Sequence, residues 1–135
     1  MSAGLALQEA ILAALSADVA LRAIIGTPAR IFDDVPRDTL FPYLTIGDGD
    51  EIEAGTATEA GSEHRITLHA WSRYAGRREV KLILERVRTI LHDANLTITG
   101  NRLINLRCEA MEFTRATDGR NTHGLARIKA MLEAN

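Results

Sequence analysis

Glu63-His64-Arg65-Ile66-Thr67-Leu68-His69-Ala70-Trp71-Ser72 is the stretch on which the fold turns. His64, Ile66, Leu68 and Ala70 alternate with Arg65, Thr67, His69 and Trp71, a period of two that predicts a half-buried strand. A second pattern starts a few residues later. From about Gly76 to Asp93, Val80, Ile83, Leu84, Val87 and Leu91 recur at i, i+3, i+4 spacing, while Arg77, Arg78, Lys81, Arg86 and Arg88 lie mainly off that stripe. This is a long amphipathic helix that buries one face and shows a basic one.

Upstream, Ser2 is placed to cap a helix whose face holds Leu5, Leu12 and Leu15 with Ile11 beside them. A further turn or two runs from Asp18 through Val19, Leu21, Ile24 and Ile25, and Gly26 followed by Pro28 stops it. Arg30 to Val35 reads as a short edge strand and Tyr43 to Asp48 as a strand opened by Pro42. Between Gly47 and Gly61 the composition turns to Gly, Ala, Thr and acids, which predicts a flexible acidic loop over about 48–62.

Downstream, Leu96 to Ile98, a turn at Gly100-Asn101, and Leu103 to Thr114 predict a hairpin. Ile104, Leu106, Cys108 and Ala110 share a face there, and the apolar face then switches to Met111 and Phe113. A β-bulge near Ala110 would account for the switch. Asp118-Gly119 marks another turn, and Ala126, Ile128, Ala130 and Leu132 line one face of a last strand from His123 to Leu132. The order predicts one α+β domain over residues 1–135. Its mixed, mainly antiparallel sheet is packed by an N-terminal helical arm and one long central helix.

The 135 residues suffice for a core without metals or disulfides. No stretch approaches the ~20 apolar residues of a membrane span. The apolar opening from Leu5 to Leu15 is interrupted by Gln8 and Glu9 and follows no basic residue, so it makes a poor signal peptide. With the lone Cys108 this points to a reducing, cytoplasmic setting, in which the sequon Asn95-Leu96-Thr97 is chance. The net charge of −2 hides a division: residues 1–64 hold three basic and eleven acidic residues, residues 65–135 thirteen and seven. Most of the acid falls in Asp48, Asp50, Glu51, Glu53, Glu59 and Glu63. Copies of a chain so divided can complement one another if the two regions lie on opposite sides of the fold.

The chemistry-bearing residues do not assemble into a motif. His64 and His69 fall on opposite faces of their strand and cannot share a metal there, and His92 suits a helix C-terminus. Asp48-Gly49-Asp50-Glu51 lacks the spacing of a calcium loop. Ser62 and Ser72 lack a nucleophile-elbow setting, Cys108 sits on an apolar strand face, and no phosphate-binding glycine loop occurs. The expectation is no catalytic residue, metal or cofactor. The basic helix face meets phosphate requirements only in part, because an aromatic content of 4% leaves no stacking platform.

Ile31-Phe32-Asp33-Asp34-Val35-Pro36 followed by Phe41-Pro42-Tyr43-Leu44-Thr45-Ile46-Gly47 resembles a family of small phage proteins. The likeness continues through Ser62-Glu63-His64, Leu68-His69-Ala70-Trp71-Ser72, Gly76-Arg77-Arg78-Glu79, His92-Asp93 and Asp118-Gly119-Arg120, nearly the whole chain. That family, long filed as a domain of unknown function, is associated with tail completion or termination in long-tailed phages and gene transfer agents. The resemblance implies no active site. It implies a structural virion subunit forming a hexameric ring on the head-proximal end of the tail tube, with a monomer in isolation compatible with that role. The ring would stop tube polymerisation and dock to the head connector or stopper, with DNA passing through its channel without sequence-specific contact. Assembly would take place in the cytoplasm, after which the subunit stays in the particle.

The candidate interface residues are Arg65, Trp71, Arg73, Arg77, Arg78 and Lys81. Asp48, Asp50, Glu51, Glu53 and Glu59 are candidates for a lumen-facing loop. The alternatives are a neck stopper or minor tail protein, a cellular adaptor with an acidic recognition loop, and a small hydrolase using His64 or His69 with a nearby carboxylate.

Overall fold

The computed structural model describes residues 1–115 and 118–135. The elements run α1 (Ala3–Ala17), α2 (Val19–Ile25), β1 (Ile31–Phe32), β2 (Tyr43–Glu53), β3 (Gly61–Ser72), α3 (Arg78–Leu91), β4 (Asn101–Arg115) and β5 (Thr122–Ala134). The five strands form one sheet in the order β1-β2-β3-β5-β4. β1 lies parallel to β2 and every other pairing is antiparallel. The fold is therefore α+β with a mixed sheet, as the order of patterns predicts.

β3 is central, and its alternation survives in the structure. His64, Leu68, Ala70 and Ser72 are buried on one face, while Arg65, Thr67, His69 and Trp71 point to the other. All twelve residues of β3 pair with β5 without a register shift, so Ala126, Ile128, Ala130 and Leu132 fall on the same buried face. Onto this face α3 lays its stripe: Val80, Ile83, Leu84, Val87 and Leu91 are each 0% exposed. Burying five such side chains is worth roughly 10 kcal/mol. The seat is tight at Gly124, where an added Cβ would stand 2.7 Å from Leu84 Cδ1.

β4 carries two bulges, between Leu103 and Asn105 and between Cys108 and Ala110. The second lies where the face switch requires it and turns Met111 and Phe113 inward against the core. The first corrects the reading of the strand's start: Leu103 packs inward and Ile104 is 45% exposed. Leu96 to Ile98 is not a strand but a single bridge, Ile98 to Asn101. Asp118 accepts hydrogen bonds from the N–H groups of Arg120 and Asn121, and Gly119 has φ +71 in the turn that leads into β5.

Two further readings change. The first helix buries Leu7, Ile11 and Leu15, spaced i, i+4, i+8, while Leu5 is 48% exposed. The helix is apolar nearly all round, and only its angle against the sheet selects a stripe. The expected loop over 48–62 is mostly strand, since β2 reaches Glu53 and β3 begins at Gly61. A one-residue bulge between Ile46 and Gly49 shifts the pairing from Ile46 with Leu68 to Gly49 with Ile66. The glycines and acids that signal a loop here fill a bulged strand held by the β3 ladder.

Asp18 joins the helices. Its carboxylate accepts from Leu21 N–H at 2.8 Å, capping α2, and takes two hydrogen bonds of 2.7 Å from Arg86 of α3. The Arg86 contact holds the Asp18 carboxyl below its ordinary pKa. α1 and α2 together have the length and composition of a span, but they are bent by 84° at Asp18, and among the described residues no single helix is long and apolar enough to cross a membrane.

The corrected stripe on α1 makes a direct test. Ile11→Ala is expected to cost about 2–5 kcal/mol in urea unfolding, and Leu5→Ala less than about 0.5 kcal/mol.

Candidate functional site

The face of the sheet turned away from the helices carries the side chains of opposite parity, and most of its charges are paired across strands. Arg65 lies 3.7 Å from Asp50 and 3.5 Å from Glu63, and Lys129 is 2.8 Å from Glu63. Arg127 pairs with Glu112 at 3.0 Å and Arg102 with Glu133. The Lys129 ammonium holds the Glu63 carboxyl below its ordinary pKa. Arg65 is thus already matched within the fold.

At one end of this face sits a stacked cluster. Trp71 lies on His123 with ring centroids 4.3 Å apart, and its indole N–H donates to Thr45 Oγ1 at 3.1 Å. His69 Nδ1 and His123 Nε2 approach to 2.6 Å, a hydrogen bond in which one imidazole donates and the other accepts. Burial pushes the pKa of both histidines down. For His69 the nearby Asp48 opposes the shift, and for His123 the charge of His69 adds to it. Trp71 is a fixed part of the sheet surface rather than a free anchor.

Most of the remaining predicted residues collect at the two ends of β3, with Asp48 and Asp50 nearer its middle. Beyond Ser72, Arg73 stacks over Phe41 at 4.2 Å and donates to Asn121 Oδ1 at 3.3 Å. Gly76 has φ +88, the left-handed backbone that lets the chain reverse into α3. The first turns of α3 then expose Arg77, Arg78 and Lys81, none of which forms an ion pair among the described residues. Lys81 leans over Phe113 at 5.4 Å. Beside them Tyr74 is 51% and Leu82 42% exposed, and both line a cleft of about 280 Å³ with Ile24 and Arg78. Leu82 is an apolar residue off the buried stripe of α3, and that displacement is its signal in the sequence.

At the other end the β2–β3 hairpin brings Glu51, Ile52, Glu53 and Glu59 to the surface, with Ile52 47% exposed. Of the acidic candidates, Asp50 is tied to Arg65 and Glu51 lies 3.7 Å from His64. Asp48, Glu53 and Glu59 have no ion-pair partner among the described residues. Only Glu59 lies in the tip itself; Asp48, Asp50, Glu51 and Glu53 belong to β2.

One arrangement has the outline of a nucleophile and base. Ser62 and His64 share a strand face, with Oγ to Nε2 at 2.7 Å and Nδ1 facing Glu51 at 3.7 Å. The second distance exceeds a hydrogen bond. His64 is 2% exposed, and the adjoining cleft is lined by Gly4, Gln8, Glu51 and His64 but not by Ser62. The hydroxyl is therefore not offered to a substrate from that cleft. His92 is structural: it ends α3, and its Nδ1 accepts from Cys108 N–H at 3.1 Å, tying helix to edge strand. Burial raises the Cys108 thiol pKa, which lowers its reactivity. Among the described residues no three His, Cys, Asp or Glu side chains cluster to hold a metal.

The sequence profile described as tail completion protein gp17 matches residues 9–133. The chain belongs to this family. Its members are structural virion proteins, and the role is tail completion. A chain in the virion of a native gene transfer agent particle superposes with TM-score 0.90 at 27% identity, over 98% of both chains. The gp17 protein of bacteriophage SPP1 matches in fold with TM-score 0.65 at 22% identity, over 95% of this chain and 89% of that one. No curated protein matches the sequence.

The histidine pair predicts a pH dependence. Both folded pKa values lie below the unfolded value of about 6.5, so acidification below that value protonates the unfolded chain first and lowers stability. The urea midpoint is expected to fall between about pH 7 and about pH 5.5, and the double variant His69→Gln, His123→Gln to lose much of that fall.

Proposed function

We propose that this family member is a tail terminator. Copies form a ring, six by analogy with the resemblance drawn above, that caps the tail tube, stops its polymerisation and joins the tail to the head connector. The observation that supports this reading is the placement of charge: Glu53 and Glu59 lie beside one end of β3 and Arg77, Arg78 and Lys81 beside the other, none with an ion-pair partner among the described residues. A subunit with complementary ends is suited to heterologous contacts, the kind that closes into rings.

Arg77, Arg78 and Lys81 are assigned to contacts between subunits. Arg65, Trp71 and Arg73, held in place by their own partners, present a rigid surface toward neighbouring virion proteins. The acidic group Asp48, Asp50, Glu51, Glu53 and Glu59 belongs near the channel or a subunit boundary, where its charge repels DNA phosphate and favours passage over binding. The tail tube protein and the connector or stopper are the partners on either side, and assembly takes place in the cytoplasm before the ring becomes part of the particle. A neck stopper would share these features and differ only in the ring it touches.

The test is electron microscopy of particles from a strain lacking this gene. Heads without tails, beside tubes of irregular or excessive length, are the expected result. Normal tailed particles would overturn the terminator reading.

A further inference from the structure

We infer that the acidic end of the β2–β3 hairpin of one copy, at Ile52, Glu53 and Glu59, docks on the Tyr74–Leu82 cleft and the Arg77–Arg78 rim of the next copy. This names the contact within the ring reading above and rests on it.

The two patches are matched in character. Each presents an exposed apolar centre: Ile52 at 47% near the end of β2, and Tyr74 at 51% with Leu82 at 42% about the start of α3. Near each apolar centre stand charges that find no ion-pair partner among the described residues, Glu53 and Glu59 at one end and Arg77 and Arg78 at the other, while Glu79 in the cleft is engaged by the Ser72 hydroxyl. Exposed tyrosine and arginine around a cleft make the composition of an interface centre rather than of solvated surface.

The patches cannot serve one another within a copy. β3 begins at Gly61 beside the tip and ends at Ser72, whose hydroxyl donates to Glu79 in the first turn of α3 at 2.7 Å. Twelve residues of strand therefore separate the poles, about 36 Å, several times the Debye length of about 8 Å at physiological salt. By contrast, much of the open face between them is neutralised by its own cross-strand pairs. A second copy supplies the missing complement at both ends at once, and its contact is head to tail. Joining opposite ends of the subunit leaves a free patch on each terminal copy until the chain of copies closes.

A charge exchange in the particle-producing strain tests the contact. The pair Arg77→Glu, Arg78→Glu and, separately, the pair Glu53→Lys, Glu59→Lys are each expected to lower the yield of tailed particles about a hundredfold, since like charges then face each other. All four substitutions in one chain recreate attraction with the signs exchanged and are expected to restore assembly. Normal assembly by either pair alone, or no rescue by the four together, would overturn the contact. A second measurement does not depend on those variants folding. A chain carrying Glu53→Cys and Arg78→Cys, oxidised in assembled particles, is expected to yield a ladder of cross-linked multimers that neither single variant yields. Absence of the ladder from assembled particles overturns the pairing. These failures leave termination itself standing, which only the deletion strain addresses.

Discussion

The unbroken pairing of β3 with β5 is the constraint from which the other contacts follow. Twelve cross-strand partners in strict register fix which side chains of both strands face the helices. That face then accepts α3, whose five buried aliphatic residues meet Leu68, Ala126 and their neighbours in one core. A one-residue slip of β5 against β3 would turn Arg127 and Lys129 into that core and expose Ala126 and Ile128, at a cost no local rearrangement could offset. The bulges in β2 and β4 sit outside this ladder, where a strand can lose its period without disturbing the helix seat.

Packing and unmatched charge fall on different parts of the same strand. The middle of β3 is committed to the fold, with apolar residues beneath and paired charges above. Beside its two ends lie Glu53 and Glu59 and, opposite, Arg77, Arg78 and Lys81, without an ion-pair partner among the described residues. Removing an exposed charge at either end therefore disturbs little of the core. Asp18 shows the opposite arrangement, a carboxylate whose hydrogen bonds are made within the chain, capping α2 and holding α3 through Arg86.

The histidines show how poorly residue type alone predicts a role. His64 is buried beside Ser62, His69 and His123 share a hydrogen bond under Trp71, and His92 fastens helix to edge strand. Each is placed by packing against a different partner, and spacing along the chain reveals only that His64 and His69 face apart. The His69–His123 pair joins residues 54 positions apart, a proximity created by the β3–β5 ladder.

Where a segment's own pattern was strong and its neighbours agreed with it, the sequence was sufficient. The alternation at Glu63 to Ser72, the stripe from Val80 to Leu91 and the face from Ala126 to Leu132 each bury what their periods say, because side-chain direction follows directly from backbone repeat. The face switch near Ala110 was legible for the same reason. Tertiary structure decided the rest. It chose Leu7, Ile11 and Leu15 over Leu5 on a helix apolar nearly all round, since only the angle against the sheet selects a stripe. It drew the Gly- and acid-rich stretch through Glu53 into β2, since a ladder to β3 outweighs weak strand propensity. The division of charge was visible along the chain, but that Glu53 and Glu59 lie beside one end of β3 and Arg77 and Arg78 beside the other is a property of the fold. The reason is physical: local periodicity sets which way a side chain points, and only long-range pairing sets what it meets.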